Sequence, residues 1–236
     1  MNLFDLIELQ NRNNTKNNRD GYDPEISSNT LDTLWNSSVH NEWLQIEQTK
    51  YWNLIKDSNL DIEREFENLD AVAISRMNVQ EFYTFLYEKY FVWKYTAANR
   101  LATTRMHLQK HQNNLGELEK IHNNLFSFDK KDIMAGLIIA SQIKGLGTAG
   151  ASGLLSVLFP EFFGTVDQFV VSAFLNIHNL DYSNQIQRIN PQNIKPSEGV
   201  ILIELMREKA HQLNKKNNTN YWTPRKIDKV LWAYRL

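Results

Sequence analysis

The sequence predicts an all-α fold. Three observations carry that expectation. Glycine and proline are sparse, 9 and 5 in 236 residues, so few positions interrupt a helix. Apolar residues recur at spacings of three and four through most of the chain, and no segment alternates with a strand's period of two. The polar, turn-forming residues gather into short breaks between those periodic runs. Hydrophobic residues make up 42% of the chain, enough for a substantial core in one large domain or two small lobes.

In order, residues 1–10 carry Leu3, Phe4, Leu6, Ile7 and Leu9 on an amphipathic helix, and residues 11–30 read as a polar linker. A helical domain then spans 31–236. Between Leu31 and Asp57, residues such as Trp35, Trp43, Tyr51 and Trp52 keep helical spacing, with a break near Ser37-Ser38. Residues 61–69 form a short charged helix or turn. Asn78, with Glu81 three residues on, predicts a capped helix start. Phe82, Phe85, Leu86, Tyr90, Phe91 and Trp93 follow at spacings of three and four, and the helical pattern continues over 96–112. Asn113 to Gly116 read as a stop, and 118–128 as a helix or turn. Ser127 or Asp129 is available to cap the helix after it. Residues 181–199, with Pro191 and Pro196, read as a loop holding one turn of helix. Residues 199–213 make a helix. Thr223 as N-cap and Pro224 at the first helical position open the last one.

Several function classes are excluded. With no cysteine there is no disulfide, thiol nucleophile or cysteine-held iron–sulfur cluster. No basic, apolar leader opens the chain and no apolar stretch reaches about 18 residues, so the expectation is a cytoplasmic protein without membrane contact. His107 and His111 stand one helical turn apart without a third ligand, so no metal is expected there. There is no phosphate loop, Gly-x-Ser-x-Gly elbow or Rossmann fingerprint, and neither a cofactor nor an obligate protein partner is indicated.

Net charge is −1, but it is unevenly spread. Residues 41–70 hold eight acidic and three basic side chains; residues 206–236 hold eight basic and two acidic. A polarised chain can offer a positive face to phosphates, and Arg225, Lys226 and Lys229 are expected on the exposed side of the last helix. Ordinary solvated helix faces account for the same pattern.

The most informative stretch is a helical hairpin at 133–159. Ile133 to Gln142 is apolar, Ile143-Lys144-Gly145-Leu146-Gly147-Thr148 is a glycine-punctuated turn, and Ala149 to Phe159 is a helix of small residues and leucine. Glycines at 145 and 147 permit positive φ and leave backbone N–H groups bare where the second helix starts, which favours an anion such as phosphate. Eighteen residues after Ala149 comes Asp167, within Val166-Asp167-Gln168-Phe169-Val170, placed at the start of a further helix where the dipole favours its ionised form.

The segment from Ile143 to Ala149 resembles the hairpin of the helix-hairpin-helix DNA glycosylase superfamily, Leu-Pro-Gly-Val-Gly followed by a small-residue helix. Val166 to Val170 resembles that family's Val-Asp-Thr-His-Val segment, and the flavour is nearest the 8-oxoguanine-glycosylase-like branch. The match covers about a fifth of the chain. The resemblance implies two helical lobes around a cleft and a double-stranded DNA partner. It implies base excision with the nucleotide turned out of the duplex, and Asp167 as the catalytic carboxylate. It also implies DNA contacts from Lys144, Gly145, Gly147, Thr148, Ala149, Gln168 and Arg225, and a monovalent cation on the carbonyls of Ile143 and Gly145. Trp93 is a candidate wall for the extruded base. Several positions depart from the pattern. Ala149 stands where bifunctional members have a lysine nucleophile, which implies an enzyme that leaves the abasic strand uncut, and Phe169 replaces the histidine. Lys144 stands where proline is usual, as a phosphate contact or a displaced nucleophile. A non-catalytic helix-hairpin-helix DNA-binding protein is the alternative, and a structural protein whose glycine turn merely lets two helices pack is a third.

Overall fold

The computed structural model describes residues 28–178 and 180–235, and all regular structure among them is helical. The helix expected over residues 1–10, and the linker expected over 11–30 as far as residue 27, lie outside the described residues; from Ser28 the chain is already helical. In chain order the helices are α1 (Ser28–Asn36), α2 (His40–Gln45), α3 (Tyr51–Asn53), α4 (Asp57–Glu67), α5 (Ala71–Ser75), α6 (Val79–Thr84), α7 (Phe91–Lys94) and α8 (Ala98–Gln109). There follow α9 (Leu115–Ser127), α10 (Ile133–Ser141), α11 (Thr148–Leu158), α12 (Gln168–Leu175), α13 (Ser183–Ile186), α14 (Pro196–Asn217) and α15 (Pro224–Trp232). π-helical turns at Ile46–Lys50 and Phe85–Tyr90 join α2 to α3 and α6 to α7.

Helix boundaries follow local capping chemistry. Asn78 accepts from the Gln80 and Glu81 amides while Glu81 accepts from the Asn78 amide, the reciprocal box the sequence predicts. Thr223 caps α15 through the Lys226 amide, with Pro224 first in the helix. Three boundaries differ from expectation. The cap of α10 is Asp132, closer to the helix than Ser127 or Asp129, and it accepts from the Ala135 amide at 2.9 Å. Asn114, inside the expected stop, caps α9 instead. Pro196 starts α14 rather than breaking a loop, because a missing N–H costs nothing in the first turn.

The core runs through the molecule, with Trp43, Phe66, Phe82, Tyr90, Phe91, Phe163 and Phe174 fully buried. Each such side chain contributes about 1.5–3 kcal/mol by leaving water. Helices α10 and α11 pack against each other as the hairpin, and α14 lies across both. Helix α15 packs on α14 and α12, which brings the chain's end beside the segment that carries Asp167.

Part of the charge polarity resolves inside the molecule. Lys229 is buried, 2.6 Å from Glu47 and 3.1 Å from Glu67. Arg225 is buried as well, 3.6 Å from Glu63. Lys209 donates to the Trp35 carbonyl, and Arg207 donates to the carbonyls of Phe162, Lys130 and Lys131. The expected basic face of α15 is therefore corrected: Arg225 and Lys229 point inward to the acidic residues of 41–70, and Lys226 lies half-buried over the Tyr221 ring.

Candidate functional site

The hairpin turn is set by Gly145, whose φ is +101°; a Cβ there would lie 2.7 Å from the Thr104 carbonyl oxygen. Gly147 differs. Its φ is −89°, and a Cβ would meet nothing within 4 Å, so its bareness opens the space in front of α11. Thr148, Ala149 and Gly150 form the first turn of α11, where amides have no intrahelical acceptor. Together with Gly145 and Gly147 they line one side of a groove of about 860 Å³. Tyr95, Thr96, Arg100, Thr103, His107, Gln168, Gln192 and Asn193 line the same groove. Gln168 is thus at the groove, where it accepts from the Gln192 amide at 2.6 Å.

Lys144 lies elsewhere. Its amine is 2.5 Å from Glu117, it does not line the groove, and its amide donates to His111 Nε2 at 2.9 Å. This corrects the expected phosphate contact: the turn directs residue 144 toward α9, and the exposed cation on the groove is Arg100. His111 buttresses the hairpin as a neutral ring, since its Nε2 accepts; burial, then the Lys144 charge, holds its imidazole below the usual range. The carbonyls expected to hold a cation already carry intramolecular donors, the Leu146 amide on Ile143 and the Tyr95 hydroxyl on Gly145.

Asp167 caps α12, its Oδ1 accepting from the Phe169 and Val170 amides at 3.0 and 3.2 Å. Two neighbours fix the approach to it. The Val166 amide donates to Ser152 Oγ of α11 at 2.9 Å, and the Thr165 amide donates to Asp228 Oδ2 of α15 at 2.8 Å. The Thr165 hydroxyl also pairs with Ser156 of α11. The small residues of α11 are thus brackets for the chain that leads to Asp167. The other carboxylate oxygen, Oδ2, lies 3.4 Å from the amine of Lys94 at the end of α7.

On the far side of Asp167 opens a second cavity of about 350 Å³, within the range of small-molecule sites. Its walls include the rings of Tyr51, Trp93, Phe169 and Trp232, and the charged groups of Glu63, Arg225, Asp228, Lys229 and Arg235. Trp93 lies on the cavity wall, where it stacks on Phe66 with centroids 5.2 Å apart and donates to Glu63 at 2.6 Å. Tyr51 donates to the other oxygen of Glu63 at 2.6 Å. Arg225 belongs to this wall, with its guanidinium 5.4 Å from the Trp93 ring, and not to the groove. Burial pushes the Asp228 carboxyl up to about 6 despite the nearby Arg225 charge.

Groove and cavity meet at Lys94, Thr96, Asp167 and Phe169, which line both. The helical hairpin and the place of Asp167 at a helix start agree with the sequence. Sequence reasoning missed Lys94, which is hidden in an aromatic run, and it missed Glu63 and Asp228, whose partners are distant in sequence. The opposite charge excess of 41–70 and 206–236 was a usable signal, had the two segments been read as each other's partners. Among described residues no group of His, Asp or Glu is arranged to hold a metal ion. Comparison with protein-family models, with curated proteins and with solved structures gives no match, so the resemblance rests on the hairpin and the Val-Asp segment themselves.

Proposed function

We propose that this protein is a DNA glycosylase of the helix-hairpin-helix kind, which turns a damaged or modified base out of a duplex and releases it. The observation that carries the reading is the position of Asp167 at the junction of a backbone-lined groove and an aromatic-walled cavity. A nucleotide has the same three parts. Its phosphate suits the bare amides of α11, its base suits the cavity beside Trp93 and Tyr51, and its sugar then falls beside Asp167. Breaking the bond from base to sugar builds positive charge on the sugar, which a fixed carboxylate stabilises. The amides of Phe169 and Val170 hold Asp167 in one orientation for that task.

The test is release of base from duplexes bearing a panel of oxidised, alkylated and hypermodified bases, read as strand breaks after alkali. Asp167→Asn should lower release on the order of 10²–10³-fold while duplex binding persists. Salt-sensitive binding with no release from any duplex would leave a non-catalytic DNA-binding protein, and turnover retained by Asp167→Asn would refute the role of the carboxylate.

A further inference from the structure

Three carboxyl groups line the cavity, and among the described residues Asp228 is the one without an ion-pair partner. Glu63 accepts from Tyr51 on one oxygen and from Trp93 on the other. Asp167 has two amides on Oδ1 and Lys94 beside Oδ2. Asp228 is buried on α15, and its hydrogen-bond donor among the described residues is the Thr165 amide, at Oδ2. The cations of its own helix are turned elsewhere, Arg225 toward Glu63 and Lys229 toward Glu47 and Glu67. Oδ1 is thus left to the cavity that the side chain lines. The loop makes room for this residue: a Cβ on Gly164 would lie 3.2 Å from Asp228 Cβ, so the glycine lets α15 close on the chain before Asp167. Fastening Thr165 does not require an acid, because an asparagine carbonyl would accept from the same amide. Burial pushes the Asp228 carboxyl up to about 6; Asp167 acts in the same sense, and Arg225 and Lys94 act against it. Arg235 lines the same cavity, and α11 brings only serine hydroxyls to this segment.

We propose that Asp228 is a second catalytic carboxyl group, which protonates the base as it leaves the sugar. The inference rests on the glycosylase reading above. As the bond from C1′ to the base breaks, its electron pair goes to the base, and the proton on Asp228 Oδ1 passes to a nitrogen or oxygen of the ring. The base departs uncharged. Positive charge is left on the sugar, where Asp167 stabilises it. The Asp228 carboxylate so formed keeps the Thr165 amide, and the Arg225 charge favours it. Water then bonds to C1′ through its oxygen and sheds one proton to solvent, and Asp228 takes one proton back from solvent. Water is the only co-reactant. The surroundings divide the two roles. Asp167 has donors on both oxygens, as a charge stabiliser needs, and Asp228 keeps one oxygen free, as a proton donor needs.

The experiment follows single-turnover base release by the full chain across pH, on whichever duplex of the lesion panel loses its base fastest. The parent rate should fall roughly tenfold per pH unit once pH rises past the Asp228 value of about 6. Asp228→Asn keeps the bracket on Thr165 and should release base on the order of 10²-fold more slowly below that pH, with the descending limb gone. Asp228→Glu restores an acid and should recover the limb and part of the rate. Both variants should keep their helical circular dichroism and bind the duplex. Release by Asp228→Asn at the parent rate, or slower release with the limb intact, overturns the role of Asp228 and leaves the glycosylase reading standing. So does a folded Asp228→Glu whose profile lacks the limb. No release from any duplex by the parent overturns the glycosylase reading, and this inference with it.

Discussion

Helices α11 and α15 reach the segment before Asp167 from two sides and are built on opposite chemistry. α11 has no charged side chain; it offers serine hydroxyls to residues 165 and 166 and bare amides to the groove. α15 has four charged residues among nine, three of them buried, and offers a carboxylate to the same segment and cations to the cavity. The contrast teaches that a polar surface need not be built from charged side chains. The groove relies on backbone polarity, which is fixed in place by the helix, while the cavity relies on charges that hold only as a set.

Three measurements test this division, beginning with the largest effect. Lys229→Met leaves Glu47 buried without its 2.6 Å partner, and should cost about 3–5 kcal/mol in urea unfolding. A cost under about 1 kcal/mol, typical of a surface pair, would show that the charges do not act as a set. In the hairpin the two glycines should part company. Gly145→Ala meets both the +101° φ and the Thr104 carbonyl, and should destabilise by about 2–4 kcal/mol. Gly147→Ala meets neither, and its stability should stay within about 1 kcal/mol of the parent. Its duplex affinity should nevertheless fall roughly tenfold, because the methyl group stands between α11 and a phosphate. Equal affinity of Gly147→Ala and parent would break the assignment of the groove.

The smallest effect is a pH dependence with two opposite slopes. Asp228 has its folded pKa raised to about 6 from 3.8, so across that window the folded state binds more protons and stability falls as pH rises. Asp228→Asn should remove that slope, about 3 kcal/mol in all. His111 has its folded pKa lowered from 6.5, so just below that pH the unfolded state binds more protons. Its contribution to stability is complete above 6.5 and is lost as pH falls toward the folded value; His111→Gln should flatten that limb. Thermal unfolding between about pH 4 and 7 reads both slopes.

What was legible in the sequence was local. The hairpin glycines, the Asn78 box, the Thr223–Pro224 start and the position of Asp167 at a helix N-terminus all depend on residues within four positions of one another. The fate of Arg225 and Lys229 was not legible, because a charged residue enters a core only where a partner waits. Here the partners stand more than 150 residues earlier. Lys94 was obscured for a related reason. Val92 to Tyr95 reads as aromatic helix face, and only the packing of α7 against the hairpin helix reveals which neighbour looks onto both spaces. The misplaced Lys144 has a simpler cause: the positive φ of Gly145 turns the chain, so residues on its two sides face different ways.

The serine brackets of α11 have a mechanical consequence. Because Ser152 and Ser156 fasten residues 165 and 166 to the helix whose first turn faces the groove, the carboxylate is indexed to the groove's hairpin wall. A shift of α11 therefore pulls on the segment that ends at Asp167. Under the proposed function, the span from phosphate to sugar is thereby set before DNA arrives.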